Sequence, residues 1–396
     1  MARKKSGRVS LRYTGKVAGG CGGILVLGLL ALLAVYFLVA GNDPVGLFEE
    51  TQRVAERATV QRPARIGNGG DWWQVYFTEP GELYNPENLE GTIAEILIEQ
   101  IDNTQDTIHI AAFEFDLGLI ANALVQARQR GVEILFITDD ENGIEEDELE
   151  LGLFERLEET GVEVRDDGRD DLMHNKFLVF DGETVWTGST NLTENGNFRN
   201  NNNTLVINSP ELANIYEREF QEMWEGEYGA RAPSAIEDQN LTIEGTPIQV
   251  LFAAEDHVVS TLVPLVESAE ESIRFMAFSF THDKLGAALL ERVDAGVNVQ
   301  GIFETRGSET EFSKMADLYC AGVPVLQDGN PGAMHHKVIV IDGRIVVTGS
   351  ANFSNNADRF NDENVLIIAN EDLAQAYLWE FDRLWDESKE PLDLDC

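Results

Sequence analysis

The sequence predicts two tandem α/β/α sandwich units related by pseudo-two-fold symmetry and preceded by one N-terminal transmembrane helix. Three observations predict this. A polar pattern, His174-x-Lys176-x4-Asp181-x6-Gly188-Ser189-x-Asn191, returns as His335-x-Lys337-x4-Asp342-x6-Gly349-Ser350-x-Asn352, every matched position shifted by one constant offset. Around each copy, strand-like and helix-like runs alternate in the same order. Ahead of both lies a long uncharged stretch, Val17 to Ala40.

In the first copy, Thr107 to Phe113 reads as a strand, Leu117 to Arg130 as an amphipathic helix and Val132 to Thr138 as a second apolar strand. Ser272 to Phe278, His282 to Ala295 and Val297 to Phe303 repeat that order. Each copy then has a helix, a short Gly-Val-x-Val strand and a motif hairpin turning at Asp181-Gly182 or Asp342-Gly343. Alternation of this kind implies a largely parallel or mixed sheet covered on both faces. After Asn191, the run Asn200 to Asn203 leads into a strand, Thr204 to Ile207, and a helix, Pro210 to Glu225. The expected boundaries are a basic N-terminus at 1–16, a transmembrane anchor at 17–40, a linker at 41–70, a first unit at 71–229, a connection at 230–245 and a second unit at 246–388.

The N-terminal stretch is apolar enough from Ile24 onward to cross a bilayer, which needs about 20 residues. Arg3, Lys4, Lys5, Arg8, Arg12 and Lys16 precede it without an acid, which places the N-terminus in the cytoplasm and the remainder outside it. A cleaved signal peptide ending near Ala40 is the alternative. Cys21 stands before the apolar run, against a lipoprotein cleavage site, and Cys320 and Cys396 are free to pair if the domain is exported. The formal net charge of −41 argues against a broad nucleic-acid footprint, because that affinity comes from Lys and Arg neutralising phosphates.

A single His-x-Lys on a strand is ordinary. Two in equivalent places, in a chain with only 6 His, point to chemistry. Paired imidazoles suit a two-step displacement at phosphorus: one attacks while the other protonates the leaving oxygen and later deprotonates water. Lys176, Lys337, Asn191 and Asn352 supply donors for phosphoryl oxygens, and the scheme requires no metal or other cofactor. The acids near Asp139 to Glu148 lack EF-hand spacing and read as a loop and helix start. Asp181 and Asp342 read mainly as turn scaffold; Ser189 and Ser350 either serve the turn or donate to a histidine or carboxylate; His336 reads as structural.

The two motifs resemble the HKD motifs of the phospholipase D superfamily, and the likeness spans roughly residues 71 to 388. It implies tandem phospholipase D-like units and phosphodiester hydrolysis or transfer through a covalent phosphohistidine, with His174 as nucleophile and His335 as general acid and base. Members often carry a carboxylate downstream of the motif. Here the second copy has Asn361-x-Glu363, suited to orienting an imidazole, whereas the first reads Asn200-x-Asn202, which makes the halves unequal. The expectation is a membrane-anchored phospholipase D acting on phosphatidylcholine-like phospholipid to give phosphatidic acid and free headgroup. A cardiolipin-synthase-like phosphatidyl transferase, an exported metal-independent endonuclease and a non-catalytic anchored binding module are the alternatives. One chain holds both motifs, so no oligomer is required.

Overall fold

The computed structural model describes residues 66–69, 72–80, 89–147, 151–232, 239–391, 394 and 396. The anchor expected at 17–40 lies outside them, and among the described residues no helix is long and apolar enough to cross a membrane. The first half contains β1 (Ile66–Gly69), β2 (Trp73–Phe77), α1 (Ile93–Asn103), β3 (Thr107–Ala112), α2 (Gly118–Arg130), β4 (Glu133–Thr138), α3 (Leu153–Glu159), β5 (Glu163–Asp166), β6 (Lys176–Phe180), β7 (Thr184–Gly188), β8 (Asn203–Asn208) and α4 (Pro210–Trp224). The second half contains β9 (Asn240–Ile243), β10 (Thr246–Ala253), α5 (Val258–Glu267), β11 (Ser272–Ala277), α6 (Asp283–Asp294), β12 (Asn298–Phe303), α7 (Met315–Cys320), β13 (Val325–Gln327), β14 (Lys337–Ile341), β15 (Ile345–Gly349), β16 (Glu363–Ala369) and α8 (Glu371–Glu387).

The two sheets share one topology. Their orders are β1-β2-β8-β7-β6-β3-β4-β5 and β13-β12-β11-β14-β15-β16-β10-β9, the second being the first read from its other edge. In each, one end is parallel (β3, β4, β5; β11, β12, β13) and every other pairing is antiparallel, so both sheets are mixed. Strands β1 and β9 fall in the stretches read as linker and connection. Each has only four residues, too few for an alternating pattern to register.

Local chemistry sets the element ends. Ser209 accepts from the Leu212 N–H with Pro210 in the first helical turn of α4, and Asn370 caps α8 in the same way. The central strands β6 and β14 are buried at every position, which matches their unbroken apolar runs. Asp181 and Asp342 take left-handed backbone (φ 52° and 51°), each followed by a glycine at φ 63°, the two-residue turn that matches strand twist. The Asp181 carboxylate accepts from the N–H groups of Gln105, Asp106 and Thr107; Asp342 does the same for Glu270, Glu271 and Ser272. These aspartates tie the hairpins to the starts of β3 and β11, and serve as scaffold.

Packing makes the halves one body. Helices α1, α2 and α3 cover the outer face of the first sheet, and α5, α6 and α7 that of the second. The inner faces share one core, in which Tyr216 and Phe220 of α4 meet Tyr377 and Phe381 of α8 and side chains of both sheets. The duplication therefore lies sheet against sheet with α4 and α8 between.

The hydrogen bonds to Asp181 hold its carboxyl below the usual range, against the opposing effect of partial burial. A depressed folded-state pKa contributes stability above the unfolded value, lost as pH falls through the folded one. Asp181→Asn is expected to destabilise by about 1 kcal/mol at pH 7, a figure reduced for partial exposure. Chemical denaturation should show that difference shrinking below about pH 4, with turnover unchanged.

Candidate active site

The motif histidines sit just before β6 and β14, where each chain segment pairs with the opposite half. The His174 N–H donates to the Asp362 carbonyl (2.9 Å) and the Asp362 N–H to the Leu172 carbonyl (2.9 Å). The related pair runs from His335 to the Asn201 carbonyl (2.8 Å) and from Asn201 to the Ala333 carbonyl (2.8 Å). Each exchange sets an imidazole beside the residue that follows its backbone partner. His174 therefore faces Glu363, and His335 faces Asn202.

His174 Nδ1 lies 2.7 Å from Glu363 Oε2. His335 Nδ1 lies 2.9 Å from Asn202 Oδ1 and 3.0 Å from the Ser189 carbonyl. The Asn202 amide is oriented by its Nδ2, which donates to the Gly196 carbonyl (2.9 Å), so its oxygen points at the ring. Both neighbours of His335 Nδ1 are acceptors. That nitrogen carries the proton, and Nε2 keeps its lone pair. The motif serines support the orienting groups: Ser189 Oγ donates to Asn202 Oδ1 (2.8 Å), and the Ser350 hydroxyl bonds Glu363. Gly188 and Gly349 precede them because a Cβ there would stand 2.3 Å from the Asn203 carbonyl oxygen or 2.1 Å from that of Asn364.

Lys176 and Lys337 are 3% and 2% exposed, and each ammonium donates to the carbonyl of its own motif histidine, at 2.8 and 2.9 Å. Phe113 lies edge-on to His174 and under Lys176, and Phe278 does the same for His335 and Lys337. Both phenylalanines immediately follow the strand next to the motif strand. Their matching places in the repeat were the signal in the sequence, which the motif pattern alone does not contain.

Burial dominates the electrostatics. It pushes Lys176 down to about 8, against the pull of Glu363, Glu114 and Asp139. It takes Lys337 well below its ordinary value, helped by the Lys176 charge. Both histidines fall well below 6.5 through burial and the two lysines. Glu363 is pushed up to about 7 by burial, with both lysines pulling the other way. Desolvated cations side by side favour an anion, which would restore both ammonium charges and favour imidazolium.

Asn191 Nδ2 donates to Glu114 Oε2 (2.7 Å), a carboxylate with no equivalent in the second half, where Ser279 follows Phe278. Burial raises the Glu114 pKa, opposed by Lys176. The Oδ1 atoms of Asn191 and Asn352 are buried and meet no donor, leaving amide capacity for a ligand. Thus His174, Lys176, Asn191, His335, Lys337, Asn352 and Glu363 fall in the motif-bearing region between the halves, with Ser189 and Ser350 behind them, and Asp181 and Asp342 at the far hairpin turns. His336 is buried between Asn203 Oδ1 and Glu380 Oε1, away from this chemistry.

Two imidazoles, each held at Nδ1 by an acceptor and set beside a buried lysine, make a duplicated cationic site whose chemistry suits a phosphoryl group. The family model described as "Cardiolipin synthase, PLD-like domain" matches the chain twice, over residues 97–224 and 262–385. The chain belongs to this phospholipase D-like family of phosphodiesterases. A protein from Rickettsia bellii named phospholipase D is 32% identical over 147 residues, 37% of this chain and 73% of that protein. A Xenopus tropicalis protein named mitochondrial cardiolipin hydrolase is 37% identical over 132 residues, 33% of this chain and 63% of that protein. The chain thus spans under two thirds of that relative's length. The crystal structure of Haemophilus influenzae phosphatidylserine synthase superposes with TM-score 0.57 at 15% identity, over 75% of this chain and 84% of that one, and so shares the two-unit fold.

Exchanging the orienting groups tests their inequality. Glu363→Gln is expected to lower kcat by about 10²- to 10⁴-fold with little change in KM. Asn202→Asp puts an anion against His335 Nδ1, which favours imidazolium, so the alkaline limb of the kcat–pH profile should move upward by about one unit.

Proposed function

We propose that the chain is a membrane-anchored phospholipase D that hydrolyses phosphatidylcholine-like phospholipids through a phosphohistidine. The observation that carries the assignment of roles is the unequal pair of orienting groups: a carboxylate on His174 and a neutral amide on His335. When His174 Nε2 attacks phosphorus with Nδ1 protonated, the ring becomes cationic, and Glu363 stabilises that charge. His335 must release its proton to the leaving oxygen, which an amide partner hinders less than a carboxylate would.

In the first step the Nε2–P bond forms, the P–O bond to the headgroup breaks, and His335 protonates the departing oxygen. In the second, His335 takes a proton from water, the water oxygen bonds to phosphorus, and the Nε2–P bond breaks. Phosphatidic acid leaves and the proton inventory is restored. Lys176, Lys337 and the motif asparagines hold the phosphoryl oxygens, whose charge spreads during displacement. Relatives named phospholipase D and cardiolipin hydrolase support a lipid substrate. Phosphatidyl transfer differs only in the acceptor reaching the intermediate, and the cardiolipin synthase description of the matching family favours it as the second reading.

In this proposal residues 17–40 hold the protein at the bilayer, with the catalytic part extracytoplasmic. The Cys320–Cys396 disulfide supports that orientation, since such bonds persist in oxidising compartments. A tether also keeps a strongly acidic protein near lipid without electrostatic attraction.

The test supplies the full-length chain in detergent micelles with phosphatidylcholine and, in parallel, single-stranded DNA. Choline release is expected, reduced at least about 10³-fold by His174→Ala. DNA cleavage without choline release would sink the lipid assignment, and choline release unaltered by the substitution would sink the phosphohistidine.

A further inference from the structure

The loop leading into each motif histidine starts alike and then departs from the repeat. Asp167-Gly168 follows β5 and Asp328-Gly329 follows β13 at matching places. Each aspartate is buried, and its Oδ1 accepts from the N–H of the second residue past a neighbouring strand, Asp140 after β4 (3.2 Å) and Thr305 after β12 (2.9 Å). The next position differs: the first copy has Arg169 and the second Asn330.

Both side chains cross the seam to equivalent partners. Arg169 Nη2 donates to Asp362 Oδ2, and Asn330 Nδ2 donates to Asn201 Oδ1 (2.6 Å). Asp362 and Asn201 are the residues whose main chains hold His174 and His335. Each motif histidine is thus backed by a side-chain latch, which is an ion pair behind His174 and a neutral amide pair behind His335.

The ion pair carries an obligation that the amide pair does not. Asp362 is 2% exposed, and its carboxylate accepts from Arg169 at one oxygen and from the Gly229 N–H (2.7 Å) at the other. Arg169 is itself held, its Nε donating to Asp167 Oδ2 (3.0 Å) and its guanidinium lying 5.0 Å from the centre of the Tyr228 ring. Burial pushes Asp362 up to about 6 even against the Arg169 charge. Without Arg169 a buried carboxylate would lose its counter-charge, a costly state that a loop relieves by moving or by taking up a proton. Asp362 cannot move alone, because its main chain holds His174 and the next residue, Glu363, holds the His174 ring.

We propose that Arg169 is a positioning residue for the displacement: through Asp362 it fixes the segment that sets Glu363 against His174. The proposal rests on the reading of His174 as nucleophile. An attacking nitrogen must stay in line with phosphorus and the leaving oxygen, and a misplacement of about 1 Å can cost about 10²-fold in rate.

The test uses the full-length chain in detergent micelles, isotope-labelled on histidine nitrogen, at about pH 8, above the raised Glu363 value of about 7. In the parent, the His174 Nδ1 proton, shared with the Glu363 carboxylate, should give a far-downfield magnetic resonance signal that Glu363→Gln removes. Arg169→Asn should weaken that signal and lower kcat for choline release from phosphatidylcholine by about 10- to 100-fold, with KM changed by less than about twofold. Adding Asp362→Asn installs the neutral pair of the second half and strands no charge. This double variant should regain the signal and a kcat within about threefold of the parent. Both readouts are taken on folded protein, below each thermal transition, so lost stability alone moves neither. Parent-like signal and kcat in Arg169→Asn would overturn the proposal, and so would a double variant whose kcat stays about tenfold or more below the parent. Loss and recovery of the signal with no choline release from any protein would support the latch and remove the lipid reading.

Discussion

The site depends on a backbone exchange. His174 bonds through its main chain to Asp362, and His335 to Asn201, across the seam between duplicated halves. Because the residue after each partner faces the imidazole, neither half orients its own motif histidine. Glu363 belongs to the second motif by sequence and to the first histidine by structure. The shared core of α4 and α8 holds the two sheets at the separation this exchange needs. Buried amides knit the seam further: Thr187 donates to Asn364 Oδ1 (2.6 Å), and Asn203 Nδ2 donates to Thr348 (3.0 Å) and Tyr377 (2.9 Å), related contacts made in opposite directions.

Departures from symmetry are where chemistry enters. The scaffold is repeated faithfully, down to left-handed aspartates, strand-ending glycines and phenylalanines beneath the lysines. The groups touching histidine Nδ1 are not. A carboxylate on one ring and an amide on the other separate two imidazoles that are otherwise alike, and Glu114 adds a second inequality beside Asn191. Duplication supplies two like imidazoles, and a few side chains then give them different surroundings.

The charge balance is read best by location. The chain is very acidic, yet the two most buried lysines among the described residues both sit at this site, where solvent is excluded and each charge counts most. Elsewhere acids crowd one another, as where a buried Glu219 stands beside the half-buried Glu222 and Glu255.

The repeated motif, the strand and helix order and the hairpin turns were legible in the sequence because they are local: turn residues, caps and apolar runs act within a few positions. So were His174, His335, both lysines and both asparagines, since duplication marks them without coordinates, and Glu363, which the resemblance to the phospholipase D superfamily singled out. The four-residue edge strands were not, being too short to show a period. Nor could sequence decide which histidine Glu363 serves, that Asn202 orients the other, or that Cys320 reaches Cys396. Those pairings join residues far apart in the chain, and only the packing of one sheet against the other brings them within bonding distance.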